Sequence, residues 1–459
     1  MLYETRHIHF VGIGGMGMSA IATVLLQLGY TVSGSDIALS DATRGLQDKG
    51  ATVFQGHAAS HLSACDVVVV SSAISADNVE VAAARAQGIP VMPRAAMLAE
   101  LMRRGQGIAV AGTHGKTTTA SLIATVLECG GLDPTVLIGA RLNSLGSNAK
   151  LGQGDYVVAE ADESDGSFLL LAPVMNIVTT LDLEHPDHYE NLEEISQYFK
   201  EFLNKVPYYG LNIVCNDNQN LRKIIKRQEM KARVVTYGLH NSADYMAQNI
   251  YNAGLQTLFE VSRKDSPLGR FTLNLPGCHN VSNALAAIIV GCELGLSKAV
   301  ISSALESFGG VQRRFDTRGK RDGVMVVDDY GHHPEEIRHT LRTAKTVWPD
   351  KRLVVVFQPH RYTRTHLLQR EFSMAFGDAD ALIMLDIYGA GEEPIPGVTT
   401  RILYEGVTAH GQGDVYYLDD ASQVVPFLNG YTREHDVLLT LGAGDVWKVA
   451  EEFLDTGKA

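Results

Sequence analysis

Runs of Val, Ile, Leu and Ala that are apolar at successive positions alternate along this chain with longer stretches whose apolar residues recur at helical spacing. Strands buried on both faces read as continuous apolar runs, so the alternation predicts the α/β class, parallel sheets covered by helices. The first run, His7–Val11, turns at Gly12-Ile13-Gly14-Gly15-Met16-Gly17 and continues as an apolar helix over 19–28. Strands are expected at 67–70 and, interrupted by Pro90, at 89–92. A helical stretch from 97 running into Arg103-Arg104-Gly105-Gln106-Gly107 closes a first domain, 1–106. A second domain, 107–314, opens with a strand over 108–111 and a helix over 120–128, and has strands at 156–159 and 176–179 that each end in polar residues. Within 230–275, shorter alternating stretches at 257–261 and 270–275 predict an antiparallel insertion or edge. A third domain, 315–459, carries strands at 324–327, 353–357, 381–385 and 437–441.

The strand over 108–111 runs into Gly112-Thr113-His114-Gly115-Lys116-Thr117-Thr118, which has the composition of a phosphate cradle. Glycines let backbone N–H groups close on phosphate oxygens, and the following helix presents its positive end. Lys116 neutralises charge and the Thr117 hydroxyl can hold Mg²⁺. Only two residues separate Gly112 from Gly115, where the common phosphate loop has four and would place a glycine at Val110. The loop is therefore a shortened variant, and it points to a nucleotide-hydrolysing enzyme.

The earlier loop matches a dinucleotide fingerprint through Gly12, Gly14 and Gly17, with Asp36 at a spacing suited to a ribose hydroxyl. What it provides is a pyrophosphate seat on a helix N-terminus, which serves a nicotinamide dinucleotide or a nucleotide sugar equally. Two acidic clusters end successive strands of the second domain. Glu160 opens Glu160-Ala161-Asp162-Glu163-Ser164-Asp165, and His185 closes Leu181-Asp182-Leu183-Glu184-His185, followed by Pro186 and Asp187. Beside a phosphate loop, such carboxylates suit a Mg²⁺ shared with ATP oxygens. In the third domain, Asp328-Asp329-Tyr330-Gly331-His332-His333-Pro334 follows one buried strand and Gln358-Pro359-His360-Arg361-Tyr362-Thr363-Arg364-Thr365 follows the next. A helix starting there would set Arg361 and Arg364 one turn apart, facing one carboxylate.

At 459 residues the chain is too long for one core and suggests about three domains. A formal charge of −13 opposes long-range attraction to nucleic acid or anionic membranes, so anionic ligands must be held by local loops and placed arginines. Cys65, Cys129, Cys215, Cys278 and Cys292 form neither a disulfide framework nor a metal spacing, which predicts packing roles in a reducing cytoplasm. A strand near the start in place of an apolar signal region, and no apolar run of bilayer length, fit a soluble cytoplasmic protein.

Assembled, these motifs resemble the Mur ligase family, ATP-dependent amide-forming enzymes that build the peptide of the peptidoglycan precursor. The resemblance covers nearly the whole chain and includes Pro276-Gly277-Cys278-His279-Asn280-Val281-Ser282-Asn283 and Arg313-Arg314-Phe315. It implies three domains, Rossmann-like, P-loop ATPase-like and Rossmann-like again. The two third-domain motifs are most similar to the branch that joins L-alanine to UDP-N-acetylmuramate, hence a role in cell-wall biogenesis, cell shape and division. By that resemblance Gly15, Met16, Gly17, Met18, Ser19, Asp36 and Ser71 hold the UDP-sugar. Gly112 to Thr118, with Lys116 and Thr117 foremost, bind ATP phosphates and Mg²⁺, and Glu160 and His185 serve the metals. His279, Asn280 and Asn283 meet adenine, with Arg314 and Asp329 completing the nucleotide site. Tyr330, His332, His360, Arg361 and Arg364 surround the amino acid. The reaction implied is attack of the lactyl carboxylate on ATP, giving an acyl phosphate that the alanine amine opens, in domains that close to exclude water. Lys116, Glu160, His185, Arg361 and Arg364 are the expected catalytic set. Thr180 stands where the family commonly has asparagine, and Pro186 where a larger apolar residue is common. The neighbouring readings are a ligase adding a ready-made tripeptide to the same sugar, an NAD-dependent oxidoreductase, and a regulator that binds ATP without turnover.

Overall fold

The structure is a computed structural model describing residues 5–144, 146–185, 188–225 and 229–456. It divides into two compact units, one comprising residues 1–250, 258–274 and 280–309, the other 251–257, 275–279 and 310–459.

The first sheet is formed by β1 (His7–Val11), β2 (Thr31–Asp36), β3 (Thr52–Gln55), β4 (Val67–Val70) and β5 (Val91–Pro93) in the order β3-β2-β1-β4-β5. All four pairings are parallel, as Val-rich runs covered by helices require. The covering helices are α1 (Met16–Gln27), α2 (Asp41–Asp48), α3 (Val79–Ala86) and α4 (Arg94–Met102). Strand order reverses between β1 and β4, so the loops after them, beginning at Gly12 and Ser71, flank the crevice where doubly wound sheets take ligands. Two boundaries differ from the sequence expectation. Helix α1 starts at Met16 and not at 19, taking Gly17 into its first turn. Strand β5 starts after Pro90 and ends at Pro93, which an edge strand tolerates because its outer N–H side makes no ladder bond.

The second sheet has ten strands: β6 (Gln106–Ala111), β7 (Thr135–Leu142), β8 (Ser147–Lys150), β9 (Tyr156–Glu160), β10 (Met175–Val178), β11 (Leu211–Cys215), β12 (Arg233–Gly238), β13 (Tyr245–Ala253), β14 (Gln256–Arg263) and β15 (Ser266–Leu273). The central order β11-β10-β6-β9-β7 is parallel, and β6 lies in its middle. Its helices are α5 (Lys116–Cys129), α6 (Leu192–Leu203), α7 (Gln219–Ile224), α8 (Cys278–Glu293) and α9 (Lys298–Glu306). The links Gly254-Leu255 and Lys264-Asp265 are two residues long, which only antiparallel neighbours permit. Positive φ at Lys264 and Asp265 (45° and 66°) gives the second link the hairpin twist. The expected antiparallel region is therefore present, with each strand a few residues longer or shifted.

The third sheet orders β16 (Asp316–Arg321), β17 (Val324–Asp329), β18 (Leu353–Phe357), β19 (Ala381–Leu385), β20 (Val415–Leu418) and β21 (Val437–Leu441) as β16-β17-β21-β18-β19-β20. Alternation along its strands feeds two cores. Val327, Val355, Phe357 and Leu439 face Ile337 and Leu341 of α10 (Pro334–Val347), while Val326, Val354, Val356 and Leu438 pack on the opposite side with Val449 and Phe453. The five cysteines are free; Cys65 and Cys215 are buried as packing predicts, Cys292 is half-buried, and Cys129 and Cys278 are exposed. Among the described residues no helix is long and apolar enough to cross a membrane.

Candidate active site

The phosphate loop leaves β6 at its carboxyl end and enters α5 at Lys116, earlier than the sequence alone suggested, because Gly115 caps the helix in left-handed backbone (φ 82°). Gly112 also has positive φ (132°), and a Cβ there would lie 2.1 Å from the Thr179 hydroxyl; one on Gly115 would lie 2.7 Å from Asn283 Oδ1. Neither position accepts a side chain. Thr113 N donates to Thr180 O (3.1 Å), and His114 N donates to the Thr180 hydroxyl (2.8 Å). The threonine that departs from the family's usual asparagine thus anchors the loop. Lys116 Nζ donates to Gly112 O (2.6 Å), Thr113 O (3.3 Å) and Glu163 Oε1 (2.8 Å). Burial opposes its charge, but the Glu163 and Asp162 carboxylates outweigh burial and hold its pKa above the ordinary lysine value. Glu163, wholly buried, is pushed up to about 7 by that burial against the pull of Lys116.

Glu160 ends β9 inside the strand, and its Oε2 accepts from the Thr117 hydroxyl at 3.2 Å while Oε1 accepts from Gly139 N at 2.7 Å. A hydroxyl and a carboxylate at this spacing are the hard oxygen donors that Mg²⁺ takes, so these residues fit that ion. His185 has positive φ (56°), and its Nε2 lies 3.6 Å from Glu184 Oε2 and 3.9 Å from Glu163 Oε1. Pro186 and Asp187 lie outside the described residues. Asn283, buried, packs against Gly115 and accepts from the Thr119 hydroxyl (3.1 Å), with Asn280 accepting from its amide at 3.3 Å.

In the first domain Gly12 N and Ile13 N donate to Ser35 O, and Gly14 N donates to Asp36 Oδ2 (2.8 Å). Asp36, expected to meet a ribose hydroxyl of the nucleotide sugar, has one carboxylate oxygen engaged by the glycine loop. Helix α1 has Gly15 at its N-cap with no side-chain cap and no acid in its first turn, the arrangement that leaves amides and helix dipole for an anion. Met16 O accepts from Asn148 Nδ2 (2.9 Å) and from the Ser19 hydroxyl (3.1 Å), while Met18 is buried. Ser71 and Arg94 line a cavity with Ile74, Asp165 and Ser167. A Cβ on Gly17 would meet the Arg94 guanidinium at 2.9 Å, and Arg94 pairs with Asp162 (2.9 Å).

In the second unit Arg313 and Arg314 flank the Tyr330 ring at 5.1 and 5.0 Å. Asp329 accepts from Phe315 N (2.7 Å), Gly331 N (2.8 Å) and the Thr340 hydroxyl (3.2 Å). Burial pushes its carboxyl up to about 6 despite Arg314. The His332, His360 and Tyr388 rings form a row, with centroids 5.8 and 5.7 Å apart. Arg364 Nη1 lies 3.3 Å from His360 Nδ1. Burial first, then the arginines, lowers His360 to about 4; His332 falls well below the usual histidine range and His279, beside His339 and Arg314, to about 3. One expectation is corrected. The helix after His360 spans Tyr362–Leu367, and Arg361 precedes it in left-handed backbone (φ 71°), paired with Glu392 at 3.7 Å. The two arginines therefore do not share a helical face.

Thr117 and Glu160 are brought together, as are Gly14 and Asp36, Lys116 and its loop, and Tyr330, His332, His360 and Arg364. Reading the sequence alone passed over Arg94, Asn148, Tyr388 and Glu392. Arg94 had a signal, since it follows the last strand of the first sheet directly; Asn148, Tyr388 and Glu392 stand in loops or edges with none.

The chain matches three consecutive family models, Mur ligase family catalytic domain over 7–106, Mur ligase middle domain over 110–291, and Mur ligase glutamate ligase domain over 313–444. It is 54% identical over 454 residues to a UDP-N-acetylmuramate–L-alanine ligase of Geobacter sp. strain M21, covering 99% of this chain and 98% of that one. It is 53% identical to the protein of the same name from Desulfosudis oleivorans, covering 99% of each. Among solved structures, a UDP-N-acetylmuramate-alanine ligase of Thermotoga maritima superposes with TM-score 0.84 at 30% identity over 99% of both chains. A murein peptide ligase of Psychrobacter arcticus gives 0.74 at 26% identity, also over 99% of both. On family models that span its length and relatives identical at more than half of its positions, this chain belongs to the Mur ligase family.

Proposed function

We propose that this chain is the ATP-dependent ligase that joins L-alanine to the lactyl carboxylate of UDP-N-acetylmuramate in peptidoglycan precursor synthesis. The observation that carries the reading is full-length identity above 50% to ligases of that name. Of the two solved structures compared, the alanine ligase is nearer than the peptide ligase in both TM-score and identity, which ranks tripeptide addition second. A carboxylate is a poor electrophile and must be activated, and ATP supplies the phosphoryl group that makes it an acyl phosphate.

The uncapped start of α1, with Asp36, Ser71 and Arg94 around it, seats the diphosphate and ribose of the nucleotide sugar. The backbone of Gly112 to Thr118 cradles the ATP phosphates, and Lys116 counters charge that grows on the transferring phosphoryl group. Thr117 and Glu160 would hold Mg²⁺, which would neutralise phosphate oxygens, and His185 would serve a second such ion. Asn280 and Asn283, in the same unit as the phosphate loop, take the adenosine end. Arg361 and Arg364 take the alanine carboxylate, and the neutral rings of His332 and His360 add no repulsion to its amine.

The test is phosphate release with UDP-N-acetylmuramate and each of alanine, glycine, serine and the tripeptide. Alanine should be used fastest, with glycine and serine behind by roughly 10- to 200-fold in kcat/KM, the span of one small group in a pocket. Faster turnover with the tripeptide contradicts the assignment.

A further inference from the structure

The Glu160-Ala161-Asp162-Glu163 segment contains one carboxylate that the assignments above leave without a task. Glu163 is wholly buried, and an acid is rarely buried without a specific partner. Its Oε1 accepts from Lys116 Nζ at 2.8 Å, and its Oε2 is buried with no hydrogen-bond partner among the described residues. Its backbone is fixed as well, because the buried Tyr189 hydroxyl donates to Glu163 O. Tyr189 packs edge-on against the Tyr198 ring at 5.3 Å, so the carboxylate stands on a rigid aromatic base.

A lysine ammonium has three donors, and here all three are used: two on carbonyls of the lysine's own loop and one on Glu163. The loop carbonyls are neutral acceptors that a phosphate oxygen can replace. The Glu163 bond is charge-assisted and points from outside the loop. We propose that Glu163 is the positioning residue for Lys116, keeping one of its N–H groups while the other two pass from the loop carbonyls to phosphate oxygens. The carboxylate then fixes the direction in which Nζ meets the nucleotide and keeps the ammonium paired before the nucleotide arrives. Without it the ammonium keeps direct hydrogen bonds only to neutral loop carbonyls, with Asp162 and Glu184 acting on it through space, and the flexible four-carbon stem has no fixed end point. This inference rests on the assignment of the phosphate loop to ATP.

The test is a double-mutant cycle on the full-length protein, measuring MgADP binding by calorimetry for the wild type, Glu163→Gln, Lys116→Ala and the double variant. Glu163→Gln should weaken MgADP about tenfold when Lys116 is present and by less than about twofold when it is alanine, the span expected of one charge-assisted contact. Turnover should show a fall in kcat with KM for alanine unchanged, and Glu163→Asp, which keeps the charge one methylene short, should restore part of the loss. Should Glu163→Gln not fold, Glu163→Asp takes its place in the cycle. Wild-type or tighter MgADP binding by Glu163→Gln, or an equal loss with and without Lys116, overturns the proposal. If Lys116→Ala itself binds MgADP as the wild type does, it is the phosphate-loop reading that fails.

Discussion

Arg364 donates from within a six-residue helix whereas Arg361 holds a left-handed backbone just before it, so equivalent-looking arginines reach their places by different means. Positive φ in a non-glycine residue is strained and persists where surrounding structure fixes it; here Arg361 N donates to Tyr388 O (2.8 Å) and Glu392 meets both Arg361 and Thr363. A guanidinium matches a planar carboxylate with two parallel bonds, which lysine does not. Arg364→Lys is therefore expected to raise the KM for alanine roughly tenfold or more with little change in the KM for ATP, since a charged hydrogen bond contributes about 1.5–3 kcal/mol. Steady-state kinetics with each substrate varied decides it, and unchanged alanine kinetics contradicts the role. Sequence alone singled out both arginines as candidates, because they follow a fully apolar strand. It could not give their relative direction, which depends on one φ angle and on a glutamate 31 positions beyond Arg361.

At the scale of elements, the phosphate loop was legible because strand, glycines, Lys-Thr and helix are contiguous. A polar cluster in the first sheet was not, since its members come from separate elements. Glu80 of α3 is wholly buried; its carboxylate lies 2.6 Å from His61 Nδ1, 3.3 Å from His57 Nδ1 and 3.7 Å from His9 Nε2, and accepts from Ser35 of β2 and Ala58 N (3.2 Å). Burial raises its pKa, but His9, Ser35, His61 and the Ala58 amide prevail and hold it at about 2. A carboxyl depressed in the folded state stabilises fully above its unfolded pKa near 4.5, and that contribution is lost as pH falls toward about 2. Glu80→Gln should accordingly lower stability by about 2–4 kcal/mol at pH 7, the cost of breaking a buried ionic network. The gap from wild type should shrink as the pH drops below about 4. Denaturant unfolding at several pH values checks this; an equal gap at all pH values would mean that packing, not charge, is lost.

Over the whole molecule, α/β class and the three sheets followed from apolar runs, since doubly covered strands show their burial directly in sequence. Contacts of the first sheet's helices with a loop and the edge strand β8 of the second sheet did not, as Arg94–Asp162 and Asn148–Met16 join residues 68 and 132 positions apart. The seats assigned to nucleotide sugar and ATP phosphates stand on different sheets. Lys116→Ala should therefore reduce turnover by about two or more powers of ten, as loss of a phosphate-stabilising charge does, while leaving binding of UDP-N-acetylmuramate near wild type by calorimetry. Near-normal turnover, or loss of sugar binding, is the contrary result.

The central claim is that the lactyl carboxylate is activated by phosphorylation and then captured by alanine. It is tested most directly by supplying UDP-N-acetylmuramate with heavy oxygen in that carboxylate, together with ATP, Mg²⁺ and L-alanine, and examining the products by mass spectrometry. Each phosphate released should carry one labelled oxygen and each new amide should retain one, with no release of phosphate when the nucleotide sugar is omitted. Unlabelled phosphate, or phosphate released without formation of the alanyl product, would contradict it.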